Sequence, residues 1–226
     1  GTFCTEWVPL LTGIPVGFWR SVGSSINAFA VESMIDMLAA AARKDPFEFR
    51  YGIVTDARAL AVLQAADQLS AWRKTLPAGH AWGVAFAQSF GTMVCEVFDI
   101  SQPVAGSIKV HRVACVVDCG LAINPGSIEA QMQGGIIHGL SAALWGQVTF
   151  SAGVAKQTNF SSYRALRLGE APDITVQIIP STNDPSGTGE PAVPPVAPAL
   201  ANAYARLTGS RVTNLPFFPG VKMGGL

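Results

Sequence analysis

The chain has few charged residues for its length. Asp, Glu, Lys and Arg make up 13% of its 226 residues, with 15 acidic and 15 basic side chains, against about 25% charge in an ordinary soluble domain. Balanced charge and a positive mean hydropathy of +0.33 exclude an intrinsically disordered chain. The lack of a basic excess argues against a nucleic-acid-binding protein. Much of the surface is therefore expected to be covered, either by another protein or by a membrane.

The sequence also lacks a membrane-spanning segment and a secretory signal. A spanning helix needs about 20 predominantly apolar residues, and the longest uncharged run, residues 130–155, is interrupted by polar side chains such as Gln131, Gln133 and His138. The amino terminus has no basic segment followed by an apolar core, and it does not begin with Met. We therefore expect a fragment or processed chain of a longer protein, without a transmembrane segment.

The four Cys residues do not form a disulfide framework at this length. The only close pair, Cys115 and Cys119, falls in residues 108–119, whose pattern is typical of extended chain, where four steps of about 3.3 Å separate the two Cα atoms by about 13 Å. A disulfide needs less than about 7 Å, so buried free thiols are expected. His80, His111 and His138 lack the spacing of metal ligands and are expected to be structural.

Helical and strand patterns come in blocks, which favours an α+β fold with a mixed or antiparallel sheet. The first helix is predicted to begin near Ser24 or Ser25 and to bury the side that carries Ile26, Met34, Met37 and Leu38. Helical patterns dominate residues 1–79, and strands enter in residues 80–226. Further helices are predicted to Tyr51 and over 57–74, 127–144 and 197–207, with strands over 82–90, 93–100, 107–118 and 174–180 and a hairpin over 147–159.

One unusual stretch surrounds Glu190, the only charged residue between Asp184 and Arg206. It follows the sequence Gly187-Thr188-Gly189 and precedes a Pro-rich segment that leads into the last helix. The glycines allow a ligand to approach the backbone closely, and a carboxylate in apolar surroundings is a candidate general base. The alternative is a solvated Glu that interacts favourably with the helix dipole.

A second unusual stretch runs from residues 117–120, with the sequence VDCG, to residues 131–135, with the sequence QMQGG. Two glycines inside a helix cost about 1 kcal/mol each relative to Ala, so a close neighbour must offset that cost. The neighbour is either a cofactor or another packed segment. Gln131, which offers amide donors and an acceptor, suits a polar heterocycle.

Together these stretches resemble the C-terminal part of the large, molybdenum-cofactor-binding subunit of the xanthine dehydrogenase/aldehyde oxidase family, especially the isoquinoline 1-oxidoreductase beta-subunit type. Residues 18–23 (FWRSVG) resemble the family's FRGFG loop. Residues 117–120, 124–125 and 131–135 resemble its VDCG…NP…QxxGG segment, and residues 189–191 its GE(P) motif. The motifs keep the family's order over nearly the whole chain. The resemblance therefore implies the family's α+β molybdopterin-binding domain, over residues 1–226.

The resemblance also implies roles for individual residues. Glu190 would be the catalytic base, which takes a proton from a water-derived hydroxyl whose oxygen attacks an electron-poor carbon of an aldehyde or N-heteroaromatic substrate. Arg20 would stand beside the substrate, and no side chain would bind the metal. Cofactor contacts would come from Gln131 to the pterin, from the Val22 backbone N–H to an oxo group of the metal, and from Ser21, Gly23, Gly187, Thr188 and Gly189.

By the same resemblance the cofactor is molybdenum-molybdopterin, in the cytosine dinucleotide form that this branch usually uses. The chain carries no iron–sulfur Cys set, so electrons would pass to 2Fe–2S clusters on a separate small subunit. The expected partners also include the remainder of the large subunit, on the N-terminal side of this chain, and a cytochrome acceptor. The bacterial cytoplasm and the periplasm both stay open as its location.

One departure from the family pattern bears on the substrate. Arg20-Ser21-Val22-Gly23 stands where the family has Arg-Gly-Phe-Gly, so an aromatic clamp of the xanthine type is missing, which argues against a purine substrate. The alternative function is a non-catalytic structural or assembly piece of such a complex. Retention of Glu190, Gln131 and the glycines argues against that alternative.

Overall fold

The computed structural model describes residues 13–102, 104 and 106–219. None of the helices in this part of the chain is long and apolar enough to cross a membrane. The helices are α1 (Val22–Ala41), α2 (Pro46–Tyr51), α3 (Ala57–Leu69), α4 (Pro125–Trp145) and α5 (Val196–Thr208), with short 3₁₀ turns at Ala71–Thr75 and Leu168–Glu170. The strands are β1 (His80–Ser89), β2 (Thr92–Ser101), β3 (Lys109–Asp118), β4 (Phe150–Ser151), β5 (Val154–Ala155) and β6 (Asp173–Ile178).

A four-stranded sheet in the order β1-β2-β3-β6 forms the centre of the fold. The pairs β1–β2 and β2–β3 are antiparallel, whereas β3 and β6 are parallel, as a chain that returns through the intervening helix α4 requires. Helices α2 and α3 cover one face, around Phe47 and Leu63. Helices α4 and α5 cover the other, around Met132 and Leu200. The predicted α+β fold with a mixed sheet is confirmed.

Local capping explains where several predicted helices begin and end. The Asp45 carboxylate accepts the Phe47 N–H at 2.8 Å at the start of α2, and the Asn124 side chain accepts the Ser127 N–H at 3.0 Å at the start of α4. Gly209, with φ of 75°, ends α5 in the left-handed conformation that glycine adopts most easily. The third helix stops at Leu69, short of the predicted residue 74, and continues as the first 3₁₀ turn.

Helix α1 is inverted relative to the sequence prediction, in the sense that the side predicted to be buried faces outward. Ile26 and Met34, expected in the core, are 74% and 53% exposed, and Met37 and Leu38 are also exposed. The buried side instead carries Ser25, Ala28, Glu32, Asp36 and Ala39. The prediction of an apolar buried side is therefore wrong for α1.

Ion pairs hold the acidic side of α1 inward. Glu32 accepts hydrogen bonds from the Arg50 guanidinium at 2.7 Å and from the Phe86 backbone N–H at 2.9 Å. Asp36 pairs with Arg206 and Arg211, each at 2.8 Å. Buried charges are tolerated only when they are paired and hydrogen-bonded, and here the partners come from α2, α5 and the segment after α5. The apolar side of α1 faces outward because these pairs fix the acidic side inward.

The cysteines behave as predicted in the described part of the chain. Cys95, Cys115 and Cys119 are buried and free, and Cys4 lies outside the described residues. Burial raises the pKa values of the Cys95, Cys115 and Cys119 thiols above their ordinary value. These thiols are therefore protonated packing groups.

Glu96 is an unpaired carboxyl group inside the β2 strand. It is fully buried, lies opposite Ala85 on β1 and Cys115 on β3, and neither of its oxygens has a hydrogen-bond partner within the described residues. Burial raises the pKa of Glu96 well above its ordinary value of 4.5. The folded protein therefore keeps a proton on Glu96 that the unfolded chain releases.

Glu96 is expected to make the protein less stable as pH rises. Its contribution is fully present below pH 4.5 and is lost as pH increases from there through the raised pKa, at up to about 1.4 kcal/mol per pH unit. Glu96→Gln removes this titration. Urea unfolding across a pH series should show a shallower decline for Glu96→Gln than for the wild type, and a control Glu129→Gln on the exposed side of α4 should follow the wild type. Parallel curves for all three proteins would contradict the assignment.

Candidate active site

Arg20 joins the three sequence motifs at one place. Its guanidinium donates to the Gly189 carbonyl, at 2.9 Å from Nε, and to the Gln131 side-chain oxygen at 3.0 Å from Nη2. These partners lie 169 and 111 residues away along the chain. The structure therefore brings the residues predicted at the loop before α1, on α4 and before α5 into direct contact.

The loop that carries Arg20 has a strained backbone. Ser21 and Val22 have φ values of 69° and 49°, in the left-handed region that is unusual for a β-branched residue such as Val. The conformation is held by a 2.8 Å hydrogen bond between the Ser21 and Ser89 hydroxyls. The Val22 N–H donates to the Trp19 carbonyl at 2.8 Å. Strain of this kind is stored where the surrounding structure fixes it, and such places are often functional.

The loop that carries Glu190 is fastened to the end of the sheet. The Ser186 N–H donates to the Cys119 carbonyl at 2.8 Å, and the Thr92 hydroxyl donates to the Gly187 carbonyl at 2.7 Å. After Glu190, a turn closes when the Val193 N–H donates to the Glu190 carbonyl at 3.0 Å. Residues 187–190 are therefore positioned by main-chain bonds at both ends.

The VDCG motif explains why this loop lies where it does. Gly120 has φ of 73°, and a Cβ added there would lie 2.1 Å from the Asp184 carbonyl oxygen. Asp118 forms two 2.9 Å hydrogen bonds with Arg58 and accepts the Gly120 N–H at 3.0 Å. The Arg58 hydrogen bond holds the pKa of Asp118 below its ordinary value. The VDCG motif therefore fixes the position of the chain at Asp184, where the segment that leads to Glu190 begins.

The glycines of α4 have two different explanations. A Cβ at Gly135 would meet the Ala192 side chain at 2.8 Å, and one at Gly139 would meet Val196 at 2.8 Å. These two glycines allow α4 to pack closely against Ala192 and the start of α5. For them, the close neighbour expected from the sequence is a packed segment and not a cofactor. At Gly134 nothing lies within 4 Å of an added Cβ. Of the three, only Gly134 leaves open space beside Gln131.

Glu190 is half-buried and follows directly after the carbonyl that Arg20 binds. Its carboxylate has no hydrogen bond or ion pair with any residue in the described ranges, in contrast to the ion-paired carboxylates of Asp118 and Glu170. Gly189 has no atom within 4 Å of an added Cβ. An unpaired carboxylate beside open space can accept a proton from a bound molecule.

Two aromatic residues at this site were not predicted from the sequence. The Trp19 indole packs on the His138 imidazole with 5.1 Å between ring centroids, whereas His80 and His111 are held by Asp99 and Ser101 as structural histidines. Partial burial and the nearby charge of Arg20 lower the pKa of His138. The sequence feature that could have identified His138 is its seven-residue spacing from Gln131, which places both residues on the same side of α4.

No group of three His, Cys, Asp or Glu side chains is placed to hold a metal ion within residues 13–102, 104 and 106–219. The polar groups that the structure brings together are instead the Arg20 guanidinium, the Gln131 amide and the Gly189 carbonyl, and Glu190 follows directly after that carbonyl. The site thus offers hydrogen-bonding groups and one free carboxylate to a polar ligand.

Comparisons with known proteins bear on the family and the fold of this chain. The family described as the molybdopterin cofactor-binding domain matches residues 21–172. Isoquinoline 1-oxidoreductase subunit beta from Brevundimonas diminuta is 33% identical over 216 residues, which make up 92% of this chain and 27% of that protein. The chain therefore spans about a quarter of the length of this relative.

Two solved structures share the fold. Quinoline 2-oxidoreductase from Pseudomonas putida 86 superposes with a TM-score of 0.77 at 12% identity, over 86% of this chain and 50% of that chain. Aldehyde oxidoreductase from Desulfovibrio desulfuricans ATCC 27774 superposes with a TM-score of 0.76 at 13% identity, over 90% and 40% of the two chains. The predicted fold type is therefore confirmed.

Proposed function

The chain belongs to the family of molybdopterin cofactor-binding domains, and we propose that it forms one side of the active site in the large subunit of a molybdenum hydroxylase. The observation that carries this proposal is the Arg20 contact with both Gln131 and Gly189, because it unites the cofactor motif with the loop that bears Glu190. The name of the isoquinoline 1-oxidoreductase relative supports an N-heteroaromatic substrate, and that of the aldehyde oxidoreductase neighbour is our reason to keep aldehydes as the second class.

The residues at the site fit a pterin. The Arg20 guanidinium donates to the Gln131 side-chain oxygen. This hydrogen bond orients the Gln131 amide so that its N–H donors stay available to a heterocycle. Gly134 and Gly189 leave room, since no atom lies within 4 Å of a Cβ at either position. We assign Ser21, Val22, Gly23, Gly187, Thr188 and Gly189 to backbone contacts with the cofactor. For Val22 this contact requires the N–H to give up its hydrogen bond with the Trp19 carbonyl and to bind the cofactor instead.

Glu190 supplies the base in the proposed reaction. The molybdenum cofactor, when bound, supplies the two-electron redox chemistry that no side chain can provide. The Glu190 carboxylate accepts the proton of a water-derived hydroxyl, and the hydroxyl oxygen forms a bond to an electron-poor carbon of the substrate. In the net reaction the C–H bond at that carbon is replaced by a bond to an oxygen from water, and two protons and two electrons are released. Arg20 holds the Gly189 carbonyl and so keeps the neighbouring carboxylate in place beside the substrate.

The outward side of α1 is the surface that we assign to the remainder of the large subunit. This side exposes four apolar side chains, those of Ile26, Met34, Met37 and Leu38. Only 13% of the residues are charged, so few charged side chains are available to make the surface polar. The chain spans 27% of the length of its relative, so a large polypeptide is available to cover this side. Exposed apolar patches of this kind mark protein interfaces.

Further assignments rest on the family resemblance. We propose the cytosine dinucleotide form of the cofactor and a small subunit whose 2Fe–2S clusters receive the electrons. A cytochrome would be the final acceptor, in the bacterial cytoplasm or the periplasm. The division into a mainly helical segment, residues 1–79, and a cofactor-binding segment, residues 80–226, also stays a prediction.

The test of the proposed function uses the complete complex. Molybdenum and pterin nucleotide are measured in the purified complex, and turnover of an N-heteroaromatic compound and of an aromatic aldehyde is followed in ¹⁸O-labelled water. We expect bound molybdenum and one labelled oxygen in each molecule of the hydroxylated N-heteroaromatic product. A complex that contains neither molybdenum nor pterin would contradict the proposal and favour the non-catalytic assembly piece.

A further inference from the structure

Helix α4 presents an open strip that extends beyond Gln131. Gln131, Gly134 and His138 are spaced by three and four residues and therefore lie on one side of the helix, over two turns or about 10 Å. All three are solvent-accessible. Because nothing lies within 4 Å of a Cβ at Gly134, the strip has a shallow depression between the two polar side chains.

The loop before α1 contacts both ends of this strip. Arg20 binds Gln131 at one end, and the Trp19 indole packs on His138 at the other, with an angle of 33° between the rings. Trp19 is 44% exposed, so part of its ring faces solvent beside the strip. Two consecutive loop residues thus fix a polar amide and an imidazole along one side of α4.

The imidazole of His138 is available for a ligand. It has no hydrogen bond with any residue in the part of the chain that the structure describes. Partial burial and the charge of Arg20 lower the pKa of His138, so the ring is neutral at pH 7 and offers one donor and one acceptor. A neutral imidazole suits an uncharged polar heterocycle better than a phosphate, which favours charged donors.

We propose that Gln131, Gly134, His138 and Trp19 form one continuous pterin-binding strip, in which His138 is a second hydrogen-bonding residue for the heterocycle. This inference rests on the proposed function and adds to it a residue outside the sequence motifs. Gln131 binds one part of the ligand, Gly134 leaves room for its ring, and the Trp19 indole holds the His138 ring in orientation.

The test compares the release of pterin from the assembled enzyme and its variants. His138→Phe keeps an aromatic ring against Trp19 but removes both hydrogen-bonding nitrogens. Loss of one buried hydrogen bond, about 1.4 kcal/mol, corresponds to about tenfold faster release. His138→Gln retains a donor and an acceptor and should release pterin at close to the wild-type rate. His111→Phe, which makes the same chemical change on β3, is the matched control and should also match the wild type.

The outcomes separate this inference from the proposed function. Pterin release from His138→Phe at the wild-type rate would overturn the proposed pterin-binding strip. An equal acceleration of release in His138→Phe and His111→Phe would also overturn it, because that result reflects a general loss of stability. Absence of molybdenum and pterin from the wild-type complex would overturn the proposed function itself. A loaded wild type with fast release only in His138→Phe supports both.

Discussion

Replacing Glu190 by Gln in the assembled enzyme is expected to lower turnover by about 10²- to 10⁴-fold, the range that a general base contributes. Gln keeps the size and polarity of the side chain but cannot accept a proton. The Gly189 carbonyl that Arg20 binds belongs to the main chain, so the substitution leaves the Arg20 and Gln131 contact in place. Molybdenum and pterin content should therefore stay at the wild-type level.

The measurement pairs steady-state turnover with metal and pterin analysis of the same preparation. Glu129→Gln is the matched control, because Glu129 is an exposed carboxylate on α4 whose one hydrogen bond among the described residues comes from Gln133. We expect this control to turn over at the wild-type rate. Retained turnover in Glu190→Gln would refute the base assignment. Loss of molybdenum together with turnover would show instead that Glu190 serves to hold the cofactor.

The positions of the helices and strands could be predicted because their signals are local. Asp45 and Asn124 cap the helices that follow them, and β1 and β2 meet at Gly91, which lies between the strands predicted over 82–90 and 93–100. The orientation of α1 could not be predicted in this way. Apolar spacing shows that one side of a helix differs from the other, but Glu32 and Asp36 turn inward because their partners come from distant parts of the chain.

The site was predicted as a set of motifs rather than as contacts. The resemblance of the motifs to those of the family implied that Arg20, Gln131 and Glu190 act together, yet no local feature shows that Arg20 binds the other two segments. Similarly, Gly134 and Gly135 are adjacent in sequence but differ in packing, since Ala192 lies against only one of them. Such differences depend on which segments the sheet and helices bring together.

Arg50→Met is expected to lower the free energy of unfolding by about 3–5 kcal/mol, the cost of breaking a buried ion pair by removing one partner. Arg50 and Glu32 are 1% and 4% exposed. Arg50 also donates to the Pro46 carbonyl at 3.1 Å and to the Val84 carbonyl at 3.3 Å. Methionine fills most of the volume but leaves the Glu32 carboxylate with only the Phe86 N–H as a partner.

Urea unfolding of Arg50→Met, of the double variant Glu32→Leu/Arg50→Met and of the exposed control Lys44→Met separates charge from packing. The double variant should recover most of the lost stability, because replacing both charges by apolar groups of similar volume is often neutral or stabilising. Lys44→Met should stay within about 0.5 kcal/mol of the wild type. If the double variant is as unstable as Arg50→Met, the main-chain bonds of Arg50 carry the stability and the ion pair does not hold α1 in its inverted orientation.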